Sequence, residues 1–149
     1  LKQQLAEVGI NLELNGMGSA ILNERIQDVD VPGSEAEVEF YIIGWSPSTG
    51  DADWGIRPLL AIESEPPMSY NISYFENEEL EGYIQDGLSS ADDAIRSEAY
   101  AKAQDLIWDE CPLINLCVDS NTWATANNIQ NVKLYPDGAI NMKNAKMTN

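Results

Sequence analysis

The sequence contains no histidine, few basic residues and no long apolar run. Without histidine, Ser-His-Asp and Cys-His catalysis and imidazole ligation of a metal or a haem are excluded for this sequence. Because 25 acidic residues face only 8 basic ones, the formal net charge is −17, which disfavours binding to phosphate backbones and to anionic membrane surfaces. No stretch approaches the roughly 20 apolar residues of a membrane-spanning helix.

Cysteine is also scarce, with Cys111 and Cys117 as the two in the chain. Their spacing does not fit a zinc site, and a disulfide between them would close a very short, strained loop. We therefore expect two small buried side chains and predict no cofactor or metal site.

The length of 149 residues and the hydrophobic fraction of 44% are typical of one ordinary globular domain. The first residues, beginning at Leu1 without an initiator Met or a signal peptide, already read as a helix, which favours a fragment of a longer protein. Helical and strand-like spacings alternate in the first part of the chain, and this order predicts an α/β fold. The predicted elements there are a helix over 1–8 closed by Gly9, a strand over 10–14, a helix over 19–27, a turn at 31–34 and a buried strand over 38–43.

The second part begins with a proline- and glycine-rich loop and continues with two stronger helices. Asn77 is the expected cap of the first helix, and Ser90 with Asp93 forms a capping-box-like start of the second, which Pro112 ends. The remaining predictions are one helical turn at 56–62, a strand or loop at 70–75, a buried strand at 113–118, a strand within 127–134 and a turn at 136–138.

Asp51 and Asp53 stand two residues apart beside glycines. Paired carboxylates could hydrolyse glycosides, but catalytic pairs face each other across a cleft, which neighbours in one loop rarely do. A calcium loop would need a glycine and a glutamate at positions that hold Ile56 and Ile62 here. Turn and helix-capping roles are the stronger interpretation.

Four aromatic residues, Trp45, Trp54, Tyr70 and Tyr74, surround the same polar loop. Such residues line small-ligand clefts, but they could equally close the end of a core. Arg57 could bind a ligand carboxylate, while a salt bridge to one of the many acidic residues is at least as well supported.

Residues 43–54, IGWSPSTGDADW, followed by Arg57-Pro58-Leu59-Leu60, resemble a signature loop of the family 5 extracellular solute-binding proteins, the peptide and glutathione receptors of ABC importers. The resemblance extends over essentially the whole chain and looks closest to the glutathione-binding branch. Further matching positions are the helix and turn over 5–10, Pro66, Pro67, Tyr70, Asn71, Tyr100, Ala103, Gln104, Pro112, Ile114 and Leu116.

The resemblance implies a periplasmic-binding-protein-like fold of type II, cluster C, in which residues 1–149 form a C-terminal lobe fragment with a mixed sheet flanked by helices. Residues from about 120 to 149 would return to the first lobe of the whole receptor. Its function would be to capture glutathione or a short peptide between two lobes and to deliver it to an ABC permease, without catalysis. The receptor would be periplasmic or a lipoprotein on the extracellular face of the cytoplasmic membrane.

By the same resemblance, the ligand-binding residues are expected on the signature loop and in the stretch that follows it: Trp45, Ser48, Thr49, Asp51, Asp53, Trp54, Arg57 and Asn71. One position departs from the family, because Ser48 stands where peptide-binding relatives carry an aspartate that pairs with the ligand's amino group. The missing histidine likewise disfavours the nickel and haem receptors.

Two other classes of function stay open. One is a hydrolase that uses Asp51 and Asp53, and the other is an acidic interaction module that docks a basic partner. Strands whose partner strands lie in a missing lobe would form exposed sheet edges. The fragment could form a homodimer through these edges.

Overall fold

The computed structural model describes residues 1–27, 38, 40–135 and 137–148. They divide into two compact units, Leu1–Tyr41 and Ile42–Asn149. In the part of the chain described, no helix is long and apolar enough to cross a membrane.

The described residues of the first unit form two helices, α1 over Lys2–Glu7 and α2 over Ser19–Ile26. Both confirm the helical spacing of the sequence, and Gly9 has the predicted left-handed conformation with φ +86°. The strand predicted over 10–14 is wrong, since these residues form no ladder. Of the strand predicted over 38–43, the described residues are not in a strand either, and the turn predicted at 31–34 lies outside the described residues.

The second unit begins with α3, Ala52–Leu60, a much longer helix than the single turn predicted, followed by a 3-10 turn over Ile62–Ser64. The stretch 70–75, predicted as a strand or a loop, is a loop in which Tyr74 adopts φ +50°.

Two longer helices, α4 over Glu78–Ser89 and α5 over Asp93–Glu110, pack against each other. The Asn77 side chain caps α4 as predicted, accepting hydrogen bonds from the amides of Glu79 and Leu80 at 3.0 Å each. The predicted N-cap of α5 is wrong, because Asp92 and not Ser90 occupies this position. The hydroxyl of Ser90 instead accepts from the Asp92 amide at 3.1 Å.

The core of this unit lies between α3, α4 and α5 and consists of Ile56, Leu60, Ala61, Leu80, Ile84, Tyr100 and Ala103. Leu80 and Ile84 have no exposed surface. Gly87 allows the Tyr100 ring to lie close to α4, because a Cβ atom at this position would lie 2.6 Å from the ring. The apolar spacing of the two helices thus predicts the buried Leu80, Ile84 and Ala103 correctly, whereas Leu88 and Ile95 on the same stripes remain exposed.

The helix α5 ends at Cys111, which takes the left-handed conformation with φ +50° directly before Pro112. Beyond it, the buried strand predicted over 113–118 is wrong: this stretch forms no ladder and Val118 is 97% exposed. Cys111 and Cys117 are free and exposed, which corrects the prediction that both are buried.

The last part of the chain, where described, contains four two-residue strands: β1 Ile129–Gln130, β2 Lys133–Leu134, β3 Ile140–Asn141 and β4 Lys146–Met147. They pair antiparallel as β1 with β4 and β2 with β3, with Ile129 opposite Met147 and Leu134 opposite Ile140. The strand predicted within 127–134 is thus present as two short pieces. A combination of helices and small sheets is confirmed, whereas the expected mixed sheet is replaced, in the described ranges, by these two antiparallel ladders.

Candidate functional site

Residues 45–51, here called the tryptophan loop, lead into α3. Asp51 is the N-cap of that helix, and its Oδ1 accepts a hydrogen bond from the Asp53 amide at 2.9 Å. The preceding turn is closed by the Gly50 amide, which donates to the Pro47 carbonyl at 3.1 Å, with Gly50 at φ +67°. The Thr49 hydroxyl accepts from the Asp51 amide at 3.2 Å, and Ser48 is exposed.

A proline inside α3 explains how the other end of the loop is held. Pro58 has no amide hydrogen, so it cannot donate the helical hydrogen bond to the carbonyl of Trp54, four residues earlier. That carbonyl accepts instead from the indole Nε1 of Trp45 at 2.9 Å. Because Pro58 does not use the Trp54 carbonyl, this carbonyl is available to bind Trp45 and to fix the start of the tryptophan loop.

The aromatic residues meet at the same end. The ring of Trp45 lies 6.4 Å from that of Trp54 and 5.2 Å from that of Tyr70, both in tilted arrangements. The Tyr70 amide donates to the Pro58 carbonyl at 3.0 Å, which fixes Tyr70 against α3, and 41% of Tyr70 remains exposed. These three rings form a partly exposed aromatic wall beside the loop.

Arg57 forms a salt bridge with Asp53, which is one of the two roles that the sequence allows. Its Nε and Nη2 donate to the two carboxylate oxygens of Asp53 at 2.8 Å each, one helical turn away, and Nη1 lies 3.4 Å from Glu63. The hydrogen bonds to Asp53 raise the pKa of the Arg57 guanidinium. Arg57 and Asp53 therefore satisfy each other and brace the first turns of α3.

The sequence did not single out Arg96, which binds Asp51. Its Nη2 donates to both carboxylate oxygens of Asp51, at 2.7 and 2.6 Å. The hydrogen bond from the Asp53 amide, helped by Arg96, lowers the pKa of Asp51 below its ordinary value. Arg96 is 45 residues from Asp51 in the chain, so no local pattern could have revealed this pair.

Asn71 is a structural residue of the following loop. It has no exposed surface, and its Nδ2 donates to the carbonyls of Ala61 and Phe75 at 3.0 and 2.9 Å. Its Oδ1 accepts from the Phe75 amide at 3.1 Å and from the Ser73 hydroxyl at 3.0 Å. The expected direct contact with a ligand is not supported by this geometry, since every polar atom of the amide already has partners.

The geometry around Asp51 and Asp53 does not favour hydrolysis. A general acid requires a carboxyl group whose pKa is raised, whereas that of Asp51 is lowered. Both carboxylates are held by guanidinium groups and lie at the start of one helix, not on opposite sides of a cleft. Among the residues described, no group of three or more acidic or cysteine side chains could hold a metal ion. The loop can offer hydroxyl groups, amides and aromatic surface to a ligand.

Comparison with known proteins identifies relatives whose sequences align with almost the whole chain. The chain is 33% identical over 147 residues, 98% of its length, to the glutathione-binding protein GsiB of Escherichia coli K12 and to the proteins of the same name from Shigella flexneri and Shigella boydii. It resembles a glutathione-binding protein. The resemblance recognised in the sequence is thereby confirmed, although no family model matches. The chain spans 28% of the length of these relatives.

Proposed function

We propose that this chain is part of the substrate-binding component of an ABC importer and that the solute is glutathione or a short peptide-like molecule. The observation that carries the proposal is the identity of 33% to GsiB over 98% of the chain. The tryptophan loop gives this proposal a physical basis, since its exposed residues stand between two fixed ends.

In this proposal the ligand contacts come from Trp45, Trp54, Ser48 and Thr49. The indole rings supply apolar surface, and the two hydroxyl groups and the loop amides supply hydrogen bonds. Asp51, Asp53 and Arg57, which were also expected to contact the ligand, are assigned to support, because their charges are already paired with one another or with Arg96.

The chain would form a C-terminal lobe fragment of a type II, cluster C binding protein, with residues from about 120 onward returning to the first lobe. The exposed Ile114, Leu116 and Val118 support the assignment as a fragment, because a run of exposed apolar side chains is suited to burial against another part of a receptor. Closure of two lobes would seal the solute from water and present the receptor to a permease, in the periplasm or at the outer face of the membrane.

A homodimer of the isolated fragment through exposed sheet edges stays a prediction. Light scattering of the purified chain, over a range of concentrations, distinguishes a monomer from a dimer.

The function is tested with a chimera in which this chain replaces the matching part of Escherichia coli GsiB. We expect calorimetry to show glutathione binding by the chimera and little or no binding by the 149-residue chain alone, since one wall of a cleft excludes little water. A chimera that folds by circular dichroism and binds dialanine in preference to glutathione would refute the glutathione assignment. Micromolar affinity of the isolated chain would refute the two-lobed mode of capture.

A matched variant tests the role of Ser48. Ser48→Asp restores the carboxylate that peptide-binding relatives carry at this position, so we expect it to raise the affinity of the chimera for dialanine and to lower that for glutathione. Thr49→Val serves as a neighbouring change in the same loop that adds no charge.

A further inference from the structure

The exposed middle of the tryptophan loop lies between two residues, Trp45 and Asp51, whose side chains are fixed by different parts of the structure. At the start of the loop, the Trp45 side chain donates a hydrogen bond to the Trp54 carbonyl and packs on the Tyr70 ring. At its end, Asp51 is tied to a residue on a different helix, Arg96 of α5. The second contact is the one that connects the loop to the helix pair.

Arg96 makes contacts with three separate elements. Its Nη1 donates to the carbonyl of Gly87 in α4 at 2.6 Å, while Nη2 binds Asp51 at the start of α3. The guanidinium carbon lies 5.3 Å from the centre of the Tyr100 ring, one turn further along α5. A single planar group therefore joins α3, α4 and α5, and its fork geometry fixes orientation as well as distance.

The environment of Arg96 favours a defined position. Its side chain is 22% exposed, whereas that of Asp51 is 47% exposed. The Tyr100 side chain, against which the guanidinium packs, is itself buried next to Gly87. A lysine at this position would keep the charge, but its single nitrogen could not replace both Nη2, which binds Asp51, and Nη1, which binds the Gly87 carbonyl.

We propose that Arg96 is a positioning residue for solute binding: by clamping Asp51 to α4 and α5, it holds Ser48 and Thr49 in the conformation that receives the ligand. The inference rests on the proposed binding role of the tryptophan loop. Arg96 itself does not contact the solute in this scheme. Arg96 acts on the loop through Asp51, which is both the last residue of the loop and the N-cap of α3.

The test uses Arg96→Met and Arg96→Lys in the 149-residue chain, with hydrogen exchange of the amides of residues 48–53 as the readout. Lys102→Met is the matched control, because Lys102 lies on the same helix and forms an exposed ion pair with Glu98 at 2.7 Å. We expect Arg96→Met to accelerate exchange in the loop at least about 10-fold, while the amides of α4 around Leu80 change little. Arg96→Lys should fall between, and Lys102→Met should match the wild type.

Asp51→Asn provides a second variant in case Arg96→Met fails to fold. Asparagine keeps an oxygen that can cap α3 but removes the charge that Arg96 binds, so the loop should loosen while the helix persists. Unchanged loop exchange in both Arg96→Met and Asp51→Asn would overturn the proposal.

Glutathione titration of the GsiB chimera separates this inference from the proposed function. If the wild-type chimera binds glutathione, Arg96→Met should weaken binding at least about 10-fold, with Arg96→Lys recovering part of the loss; equal affinity of wild type and Arg96→Met would overturn the positioning role. If the wild-type chimera folds and does not bind, the proposed function fails, and with it the role in solute binding. The exchange data would then still decide whether Arg96 holds the loop.

Discussion

The helical region, residues 52–110, and the C-terminal segment, residues 111–148, differ in how far they bury apolar side chains. The helical region contains a core in which Leu80 and Ile84 have no exposed surface. In the C-terminal segment no described side chain is fully buried, and Val118 is 97% exposed. The difference teaches that an apolar pattern becomes a core only where the chain also supplies the surface that covers it.

The two regions also differ in how their backbone polar groups are paired. Helices satisfy most of these groups internally, and the caps of α4 and α5 satisfy further amides through Asn77 and Asp92. The short ladders of the C-terminal segment join only pairs of residues, such as Lys133 with Asn141. The helical region is therefore expected to carry most of the stability of the second unit.

The largest effect that separates the two regions is expected from truncation of apolar side chains. Leu80→Ala should lower the free energy of unfolding by about 2–5 kcal/mol, because it leaves a cavity in the core. Val118→Ala should change it by less than about 0.5 kcal/mol, as for other exposed positions. Urea denaturation of the 149-residue chain, followed by circular dichroism, measures both. Similar losses in the two variants would show that the C-terminal segment is packed in solution.

A second effect sharpens the account of the helix pair. Gly87→Ala places a Cβ atom 2.6 Å from the Tyr100 ring and should destabilise the chain by about 1–3 kcal/mol. Gly82→Ala is the matched change on the same helix, where a Cβ meets nothing within 4 Å, and it should stabilise by about 0.5–1 kcal/mol through helix propensity. Thermal unfolding of the two variants should therefore move in opposite directions. A shift of the same sign would mean that α4 and α5 pack differently from the contact described.

The smallest effect concerns pH and the start of α3. Because the pKa of Asp51 is lowered in the folded chain, its contribution to stability is present above the unfolded value of about 3.9 and is lost as the pH falls through the folded pKa. The difference in denaturation midpoint between wild type and Asp51→Asn should therefore shrink from pH 7 to pH 3. Asp109→Asn, an exposed change on α5, is the comparison variant. A difference that is constant with pH would contradict the lowered pKa of Asp51, and with it the combined action of the Asp53 amide and Arg96 on this carboxylate.

Features that depend on residues close together in the chain could be predicted from the sequence. The cap of α4 at Asn77 and the end of α5 before Pro112 depend on neighbours in the chain, and both are confirmed. The helix α3 was underestimated because Gly55 and Pro58 interrupt its pattern. Its N-cap at Asp51 was the signal that could have extended the prediction.

The strands predicted over 10–14 and 113–118 are wrong for a different reason. Alternation in 10–14 and 113–118 indicates which side chains favour burial, but it does not supply the partner strand whose hydrogen bonds define a ladder. The candidate site shows the same limit. The signature loop with Trp45 and Asp51 was found from its sequence, whereas the clamp by Arg96 depends on folding and carried no local signal.

The two exposed thiols have a practical consequence at the boundary of the two regions. Cys111 follows the last turn of α5, and Cys117 lies near the end of the uncovered apolar stretch, so the pair brackets it. Since the sequence holds no other cysteine, a fluorophore or a cross-linker can be attached at either end after a single Cys→Ser change. Labelling rates at these two sulfurs would report which part of a larger receptor, or of a second copy, shields that stretch from solvent.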